Sequence, residues 1–376
     1  MGERLRIIHC FRAPVGGLFR HVLDLSGEQA ARGHAVGYII DSTVADALTE
    51  RRLAEVAEYL ELGITRIPMG RLPGLRDLAT SRAVRETARA LDIDVLHGHG
   101  AKGGAFARLA GRGLRKPARK AAVFYTPHGG SLHYAPRSPQ GLIYTTVEKL
   151  LARYTDGLIF ESDFIRRVYD ARVGASGVPR RVIPNALQPG DFTPHRPLPD
   201  AADFLFIGEL RQLKGVDVLL QAFARLSKIR SLRAVIVGGG PEADAFKAQA
   251  RELGVGDTVT FPGAMPAREA FALGRNLVVP SRAESMPYIV LEAAAAGMPL
   301  IATDVGGIPE IVNGTDTPLL PPGDVAALEA AMENALAHPD AVKIRAERLK
   351  TSVAGRFTVA RAVEDVLTFY DERLGR

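Results

Sequence analysis

An α/β protein built from two doubly wound parallel sheets is predicted by three observations. Short apolar runs of β type alternate with helical patterns along nearly the whole chain. Those runs are continuously apolar rather than alternating, as strands covered on both faces are. The rhythm breaks once, in a proline-rich stretch near the middle, and then restarts. The 376 residues, 47% hydrophobic and 24% charged, form an ordinary globular composition and suffice for two cores.

The elements follow in order. Leu5–Cys10 reads as a buried strand; Gly16-Gly17 and a helix from about Leu18 to Arg32 come next. Further strands are Val36–Ile40, Val95–His97, Ala122–Thr126, Gly157–Phe160 and Val182–Ile183, with helical stretches between them. The segment 185–200 carries Pro189, Pro194, Pro197 and Pro199 and has no period, as a linker would. Strands resume at Phe204–Ile207, Ala234–Val237, Val259–Phe261 and Leu277–Val279, with helices from Val216 and Glu242 and a last one over Thr358–Leu374. The expected domains are residues 1–185 and 201–356, joined by a linker at 186–200 and followed by a C-terminal helix at 357–376. Ligands of such sheets bind beyond the carboxyl ends of the strands, which places the expected site in a cleft between the domains.

Several classes are excluded. The one cysteine, Cys10, forms no internal disulfide, and no Cys/His run has zinc spacing. The apolar core of MGERLRIIHCF is too short for a signal peptide, and Arg6 breaks the myristoylation pattern. No apolar run approaches the ~18 residues of a membrane span. A cytoplasmic protein is expected. Residues 1–185 carry 28 basic against 18 acidic side chains, the remainder 20 against 24. A basic first half fits an anionic partner such as a membrane surface or a phosphorylated substrate; an Arg-rich solvated surface is the alternative. Nucleic acid is the poorest candidate, because there is no Trp and the aromatics do not interleave with the basic run.

The stretch 280–299 is the most informative. A strand ends at Pro280, a polar loop carries Glu284, and Pro287 stands where a helix would begin. Free N–H groups around Met286–Val290 would then point out of a helix N-terminus, where phosphate binds well, which makes Ser285, Met286, Pro287, Tyr288, Ile289 and Val290 the candidate donor-binding turn. Glu292 lies about one turn further in, placed to accept hydrogen bonds from sugar hydroxyls. Two glutamates simply solvated near a helix start are the alternative reading.

The glutamates eight apart in this setting resemble the E-x7-E signature of retaining glycosyltransferases of family 4, whose fold is GT-B. The resemblance extends to Ile301–Val312, to Gly208–Gly215, to Val237–Pro241 and to the Gly16-Gly17 loop, in the family's order. It implies two Rossmann-like domains facing a cleft, with the C-terminal helix crossing back to the first. It implies a donor clamp made by Arg211 and Lys214, whose fixed cations would stabilise a departing diphosphate. By the same likeness Gly16 and Gly17 lie over the donor phosphates, and His128 in Thr126-Pro-His128 contacts the transferred sugar, often at its 6-hydroxyl. Glu284 would position the sugar and Glu292 would bind the ribose.

Weaker readings complete the site. His133 is a candidate for the acceptor side; Lys102 is either a holder of acceptor phosphate or an ordinary first-turn lysine. Asp92-Ile-Asp94 has the form of a metal-binding DxD but precedes a strand, so it faces the wrong end. His97 and His99 lack carboxylate company, and no metal is expected. Gly238-Gly-Gly240 does not complete a dinucleotide fingerprint. The sequence departs from the family at Ala186 and at Ser285-Met286, where glycine and Gly-Phe are common. The resulting expectation is a hexose transfer from a UDP- or GDP-linked sugar, without cofactor, to a glycan or lipid-linked acceptor for cell-surface polysaccharide, with peripheral attachment to the inner membrane face. A soluble transferase for a small acceptor and a sugar-nucleotide binder without turnover are the alternatives.

Overall fold

The computed structural model describes residues 3–43, 47–70, 74, 76–114, 121–129, 138–174 and 177–376. The chain divides into two compact units, Met1–Ala186 with Val359–Arg376, and Leu187–Thr358.

Unit 1 runs β1 (Arg6–Cys10), α1 (Gly16–Ala31), β2 (Ala35–Asp41), α2 (Ala47–Ala57), β3 (Ile64–Ile67), α3 (Arg76–Ala90), β4 (Val95–His99), α4 (Gly100–Gly111), β5 (Ala122–Thr126), α5 (Pro139–Ala152), β6 (Gly157–Phe160), α6 (Asp163–Val173) and β7 (Arg180–Val182). Its seven strands are parallel in the order β3-β2-β1-β4-β5-β6-β7. The order reverses between β1 and β4, and a doubly wound sheet opens a crevice at such a point. Strand alternation then sorts the side chains. Ile8, Cys10 and Leu96 join the core under α3 and α4, while Ile7 and Val95 join the core on the other face. His9 and His97, paired across β1 and β4, share that second face by parity. Gly103 and Gly104 let α4 lie directly on the sheet, because a Cβ there would fall 2.4 Å from the Cys10 carbonyl or 2.1 Å from the Tyr125 ring.

Unit 2 runs β8 (Ala202–Ile207), α7 (Val216–Leu226), β9 (Ala234–Val237), α8 (Ala243–Glu252), β10 (Val259–Gly263), α9 (Ala267–Phe271), β11 (Gly274–Val279), α10 (Tyr288–Ala296), β12 (Leu300–Thr303), α11 (Ile308–Val312), β13 (Leu319–Leu320), α12 (Val325–Ala337) and α13 (Pro339–Ala354). Its parallel order is β10-β9-β8-β11-β12-β13, reversing between β8 and β11. The final helix, α14 (Val359–Leu374), returns to unit 1. It buries Val363, Val366, Phe369 and Tyr370 against Phe124 and Ile159, each contributing roughly 1.5–3 kcal/mol. Ion pairs from Arg181 to Glu372 and from Arg376 to Asp94 fasten its end.

Three expectations change. The strand read at Val182–Ile183 spans Arg180–Val182, and the Ile183 N–H still bonds the Phe160 carbonyl just beyond it. β3 and β13 are too short and too polar in context to show in the periodicity. The segment read as a linker is tied to unit 2. Leu187, His195 and Leu198 donate backbone hydrogen bonds to Phe357, Ala296 and Ala272, and Pro189–Phe192 forms a 3-10 turn. Its prolines accompany an irregular path along unit 2. Among the described residues no helix is long and apolar enough to cross a membrane.

Candidate active site

In unit 2 the loops after β9, β8, β11 and β12 emerge side by side at the carboxyl ends of neighbouring strands. Gly215, at φ +72°, ends the 3-10 turn Gln212–Lys214 and starts α7; a Cβ there would lie 1.9 Å from the Pro280 carbonyl. Gly306, at φ +62°, would likewise press on the Glu284 carbonyl at 2.0 Å. Only glycine permits both the left-handed backbone and the close approach. Further backbone bonds run from Arg282 N–H to Leu213, from Gly307 N–H to Ser285 and from Leu210 N–H to Gly239. The Gly238–Gly240 loop therefore buttresses the 208–211 loop. Arg282 braces the same corner through a bidentate pair with Asp217 at 2.7 and 2.6 Å.

This frame brings Lys214 and Glu284 together. Lys214 Nζ donates to both Glu284 oxygens at 2.7 and 2.9 Å, and Ser281 Oγ donates to Oε1 at 2.7 Å. The Glu284 side chain is 8% exposed and that of Lys214 26%, so the pair is shielded yet reachable. Arg211 is 49% exposed, and its ion pair among the described residues is a 3.4 Å contact to Glu209. It is a cation held loosely beside a cation held tightly.

The turn into α10 is divided by burial. Pro287 is the N-cap of α10. Met286, Tyr288 and Val290 are buried, and Met286 and Val290 belong to the apolar core. The Val290 N–H turns back to the Pro287 carbonyl at 3.2 Å, so it is not one of the outward donors that the sequence reading placed there. Ser285, Ile289 and Glu292 are half-buried.

In unit 1, Gly16 (φ +63°) and Gly17 open α1 exposed, and the N-cap residue Val15 gives no side-chain cap. His128 follows β5 at φ +51°, a left-handed conformation uncommon outside glycine. His99 Nδ1 lies 3.2 Å from His128 Nε2, and His99 Nε2 lies 2.9 Å from His9 Nδ1. His9 Nε2 reaches Gln29 Oε1 at 2.8 Å. His97 bonds the Tyr370 hydroxyl at 2.6 Å and Thr126 Oγ1 at 2.8 Å, and His21 Nδ1 lies 3.1 Å from Asn185 Oδ1. Thus His97 and His99, read as an isolated pair, belong to a cluster of five with His9, His21 and His128.

Burial pushes the pKa of His9 and of His21 down to about 4, and those of His97, His99 and His128 well below the ordinary range. All five are neutral at pH 7. The groups His9/His97/His99 and His21/His99/His128 each bring ring nitrogens within 4.8 Å, the spacing a cation would need. In the first group every ring nitrogen is already engaged by the hydrogen bonds above. No single-residue signal marked His9, His21 or Gln29. The available hint was their placement, with His21 and Gln29 eight apart on one helix face and His9 on a strand paired with β4.

The remaining candidates separate. Lys102 Nζ pairs with Asp77 at 2.8 Å. Asp94 is buried before β4, accepting from the Arg6 N–H and from Arg376, a structural role for the DxD-like pair. His133 lies outside the described residues, as do 115–120 of the basic run. Burial raises the Cys10 thiol to about 12, which leaves it inert.

Comparison with known proteins identifies the family and the fold. The model of Glycosyltransferase Family 4 matches residues 15–190, and that of Glycosyl transferases group 1 matches residues 201–338. The chain is 32% identical to EpsD of Bacillus subtilis (strain 168), which is named as a glycosyltransferase, over 85% of this chain and 86% of that one. It is 27% identical to a D-inositol 3-phosphate glycosyltransferase of Acidothermus cellulolyticus, over 96% and 86%. Anabaena HepE in complex with UDP and glucose shares the fold at TM-score 0.80 and 18% identity, over 98% and 100%. Sucrose-phosphate synthase of Thermosynechococcus elongatus does so at 0.79 and 22%, over 98% and 99%.

Proposed function

The chain belongs to the group 1, family 4 glycosyltransferases, which use nucleotide-sugar donors, and we propose that it moves a hexose from a UDP- or GDP-linked sugar to an acceptor hydroxyl with retention. The observation that carries this is the Lys214–Glu284 pair beside the exposed Arg211 at the switch point of unit 2. Anionic diphosphate entering there draws Lys214 towards its oxygens, and Arg211 closes on it from solvent. Glu284, still held by Ser281, is then released to accept hydrogen bonds from sugar hydroxyls. As the bond from the anomeric carbon to the leaving phosphate oxygen breaks, charge grows on that oxygen, and fixed cations stabilise this state more than the ground state. The acceptor oxygen attacks the same face, and its proton passes to the leaving phosphate oxygen. No side chain becomes covalently bonded. In this reading His128 of unit 1 holds a sugar hydroxyl, and the exposed start of α1 at Gly16 and Gly17 offers N–H groups to phosphate.

Thermal melting with UDP, GDP, ADP and dTDP tests the donor side. One nucleotide should stabilise the protein selectively, and Arg211→Ala/Lys214→Ala should abolish the effect. Stabilisation that survives in the variant would place the diphosphate elsewhere.

The acceptor in this reading is a lipid-linked or cell-surface glycan intermediate at an anionic membrane face. Support comes from α5, where Leu142, Ile143, Val147 and Leu150 are exposed, with Lys149, Arg153 and Arg112 exposed nearby. An apolar stripe among cations fits an anionic bilayer surface. Sedimentation with phosphatidylglycerol vesicles should weaken in Leu142→Ser/Ile143→Ser/Leu150→Ser; unchanged binding would remove α5 from this reading. A small phosphorylated acceptor is the second reading, favoured by the likeness to D-inositol 3-phosphate glycosyltransferase over 96% of the chain. Turnover on a soluble acceptor without vesicle binding would favour it.

A further inference from the structure

The histidine cluster of unit 1 contains a hydrogen-bond chain whose direction follows from the orientation of the Gln29 amide. Gln29 Oε1 only accepts, and it lies 2.8 Å from His9 Nε2, so that nitrogen carries the proton. A neutral imidazole has one N–H, which leaves His9 Nδ1 as a lone pair. His99 Nε2, 2.9 Å away, must donate to it. His99 Nδ1 is then a lone pair in turn, and His128 Nε2 donates to it across 3.2 Å. His128 Nδ1 is left bare, and among the described residues nothing bonds to it. Were the Gln29 amide reversed, every ring would reverse and His128 would present an N–H instead.

Three further observations support the chain. Burial keeps the rings neutral at pH 7, so each has a single proton to place. Gln29 and His9 are fully buried and His99 nearly so, so water does not interrupt the chain. The His128 backbone is held at φ +51°, a conformation that persists only where its surroundings impose it.

We propose that Gln29, His9 and His99 are positioning residues that hold His128 as the Nε2–H tautomer, so that its Nδ1 accepts a hydrogen bond from a hydroxyl of the transferred sugar. The ligand half of this inference rests on the functional reading above. Its chemical consequence is selectivity at that sugar position. A hydroxyl satisfies the lone pair, whereas a carboxylate, as in a nucleotide-linked uronic acid, meets it with a like-signed oxygen and is disfavoured.

The test is ring 15N NMR of the full chain labelled at histidine, where a protonated and a bare ring nitrogen have distinct shifts. Without ligand, His9, His99 and His128 should each show Nε2–H with Nδ1 bare. Gln29→Met, which sets no order, should mix the His128 tautomers and lower kcat/KM by roughly three- to tenfold. Affinity for the free nucleoside diphosphate should not change.

A wild-type His128 protonated at Nδ1 would overturn the proposal, even if Gln29→Met failed to fold. So would an unaltered ring pattern in Gln29→Met, or stoichiometric Zn2+ that reorganises all the rings and so marks a metal centre. The expected order in a protein that transfers no sugar would instead sink the functional reading and the ligand assigned here. Efficient sugar transfer with the wrong order would sink this inference alone. A uronic-acid donor used as well as its hexose counterpart would overturn the selectivity.

Discussion

The two units build their candidate corners from similar doubly wound parallel sheets with opposite chemistry. Unit 2 uses charge. Lys214, Glu284, Arg282 and Asp217 form ion pairs on loops held by tight glycine contacts. Unit 1 uses neutral imidazoles that bond one another, Gln29, Thr126 and Tyr370. Under the proposed function the difference sorts the ligands between the corners. A diphosphate needs fixed cations whose charge is reachable, and the Lys214–Glu284 pair keeps one ready without leaving it bare. A sugar hydroxyl needs a directional lone pair or N–H, and only uncharged, ordered rings provide one without attracting anions.

The largest effect should come from breaking the charged corner. Lys214→Ala or Glu284→Gln should lower kcat by about 10²–10³, the loss typical of removing one transition-state contact. Circular dichroism should show both variants folded. Removal of Lys214 should also weaken nucleoside diphosphate binding, which Glu284→Gln should spare. Equal loss of binding in both would mean that Glu284 serves only to hold Lys214.

Acid should break the other corner selectively. His9 and His21 have folded pKa values near 4 against an ordinary 6.5, so the unfolded chain binds more protons between those limits. Their contribution is fully present above pH 6.5 and is lost as pH falls towards 4. It amounts to on the order of 3 kcal/mol per histidine across that range. Hydrogen exchange should therefore show amides of β1 and β4 losing protection between pH 7 and pH 4.5, while those of β8 and β11 change less. Parallel loss in both sheets would erase the contrast.

A smaller change should show that backbone, not charge, shapes the unit 2 loops. Gly306→Ala should destabilise the protein by about 2–3 kcal/mol, since its Cβ meets the Glu284 carbonyl at a left-handed φ. Its melting temperature should recover part of the loss on binding the nucleotide. A neutral Gly306→Ala would show that the turn shifts freely.

Much of the charged corner was legible because each part is local. A strand end, a Lys-Gly helix start and a Pro-punctuated turn can be read within a dozen residues, and they fall where the motifs put them. Two parts were not legible. The burial of Met286, Tyr288 and Val290 depends on what packs against α10, which no local pattern reveals. The histidine cluster joins His9, His21, His97, His99 and His128 from two helically separated strands, a helix and a loop. Its members meet because β4 pairs with β1, and that pairing follows from strand order rather than from spacing.

The amino-acid order therefore dictated the two-sheet architecture, nearly every strand and the loops that carry Arg211, Lys214 and Glu284. Periodicity, proline and glycine act over a few residues, and those features are written at that range. Folding in three dimensions dictated that Lys214 meets Glu284 across 70 positions, that α14 returns to seal unit 1, and that five imidazoles share one interior. Those contacts lie far apart along the chain. The hydrogen bonds and burial that give them their chemistry exist only once the sheets have closed.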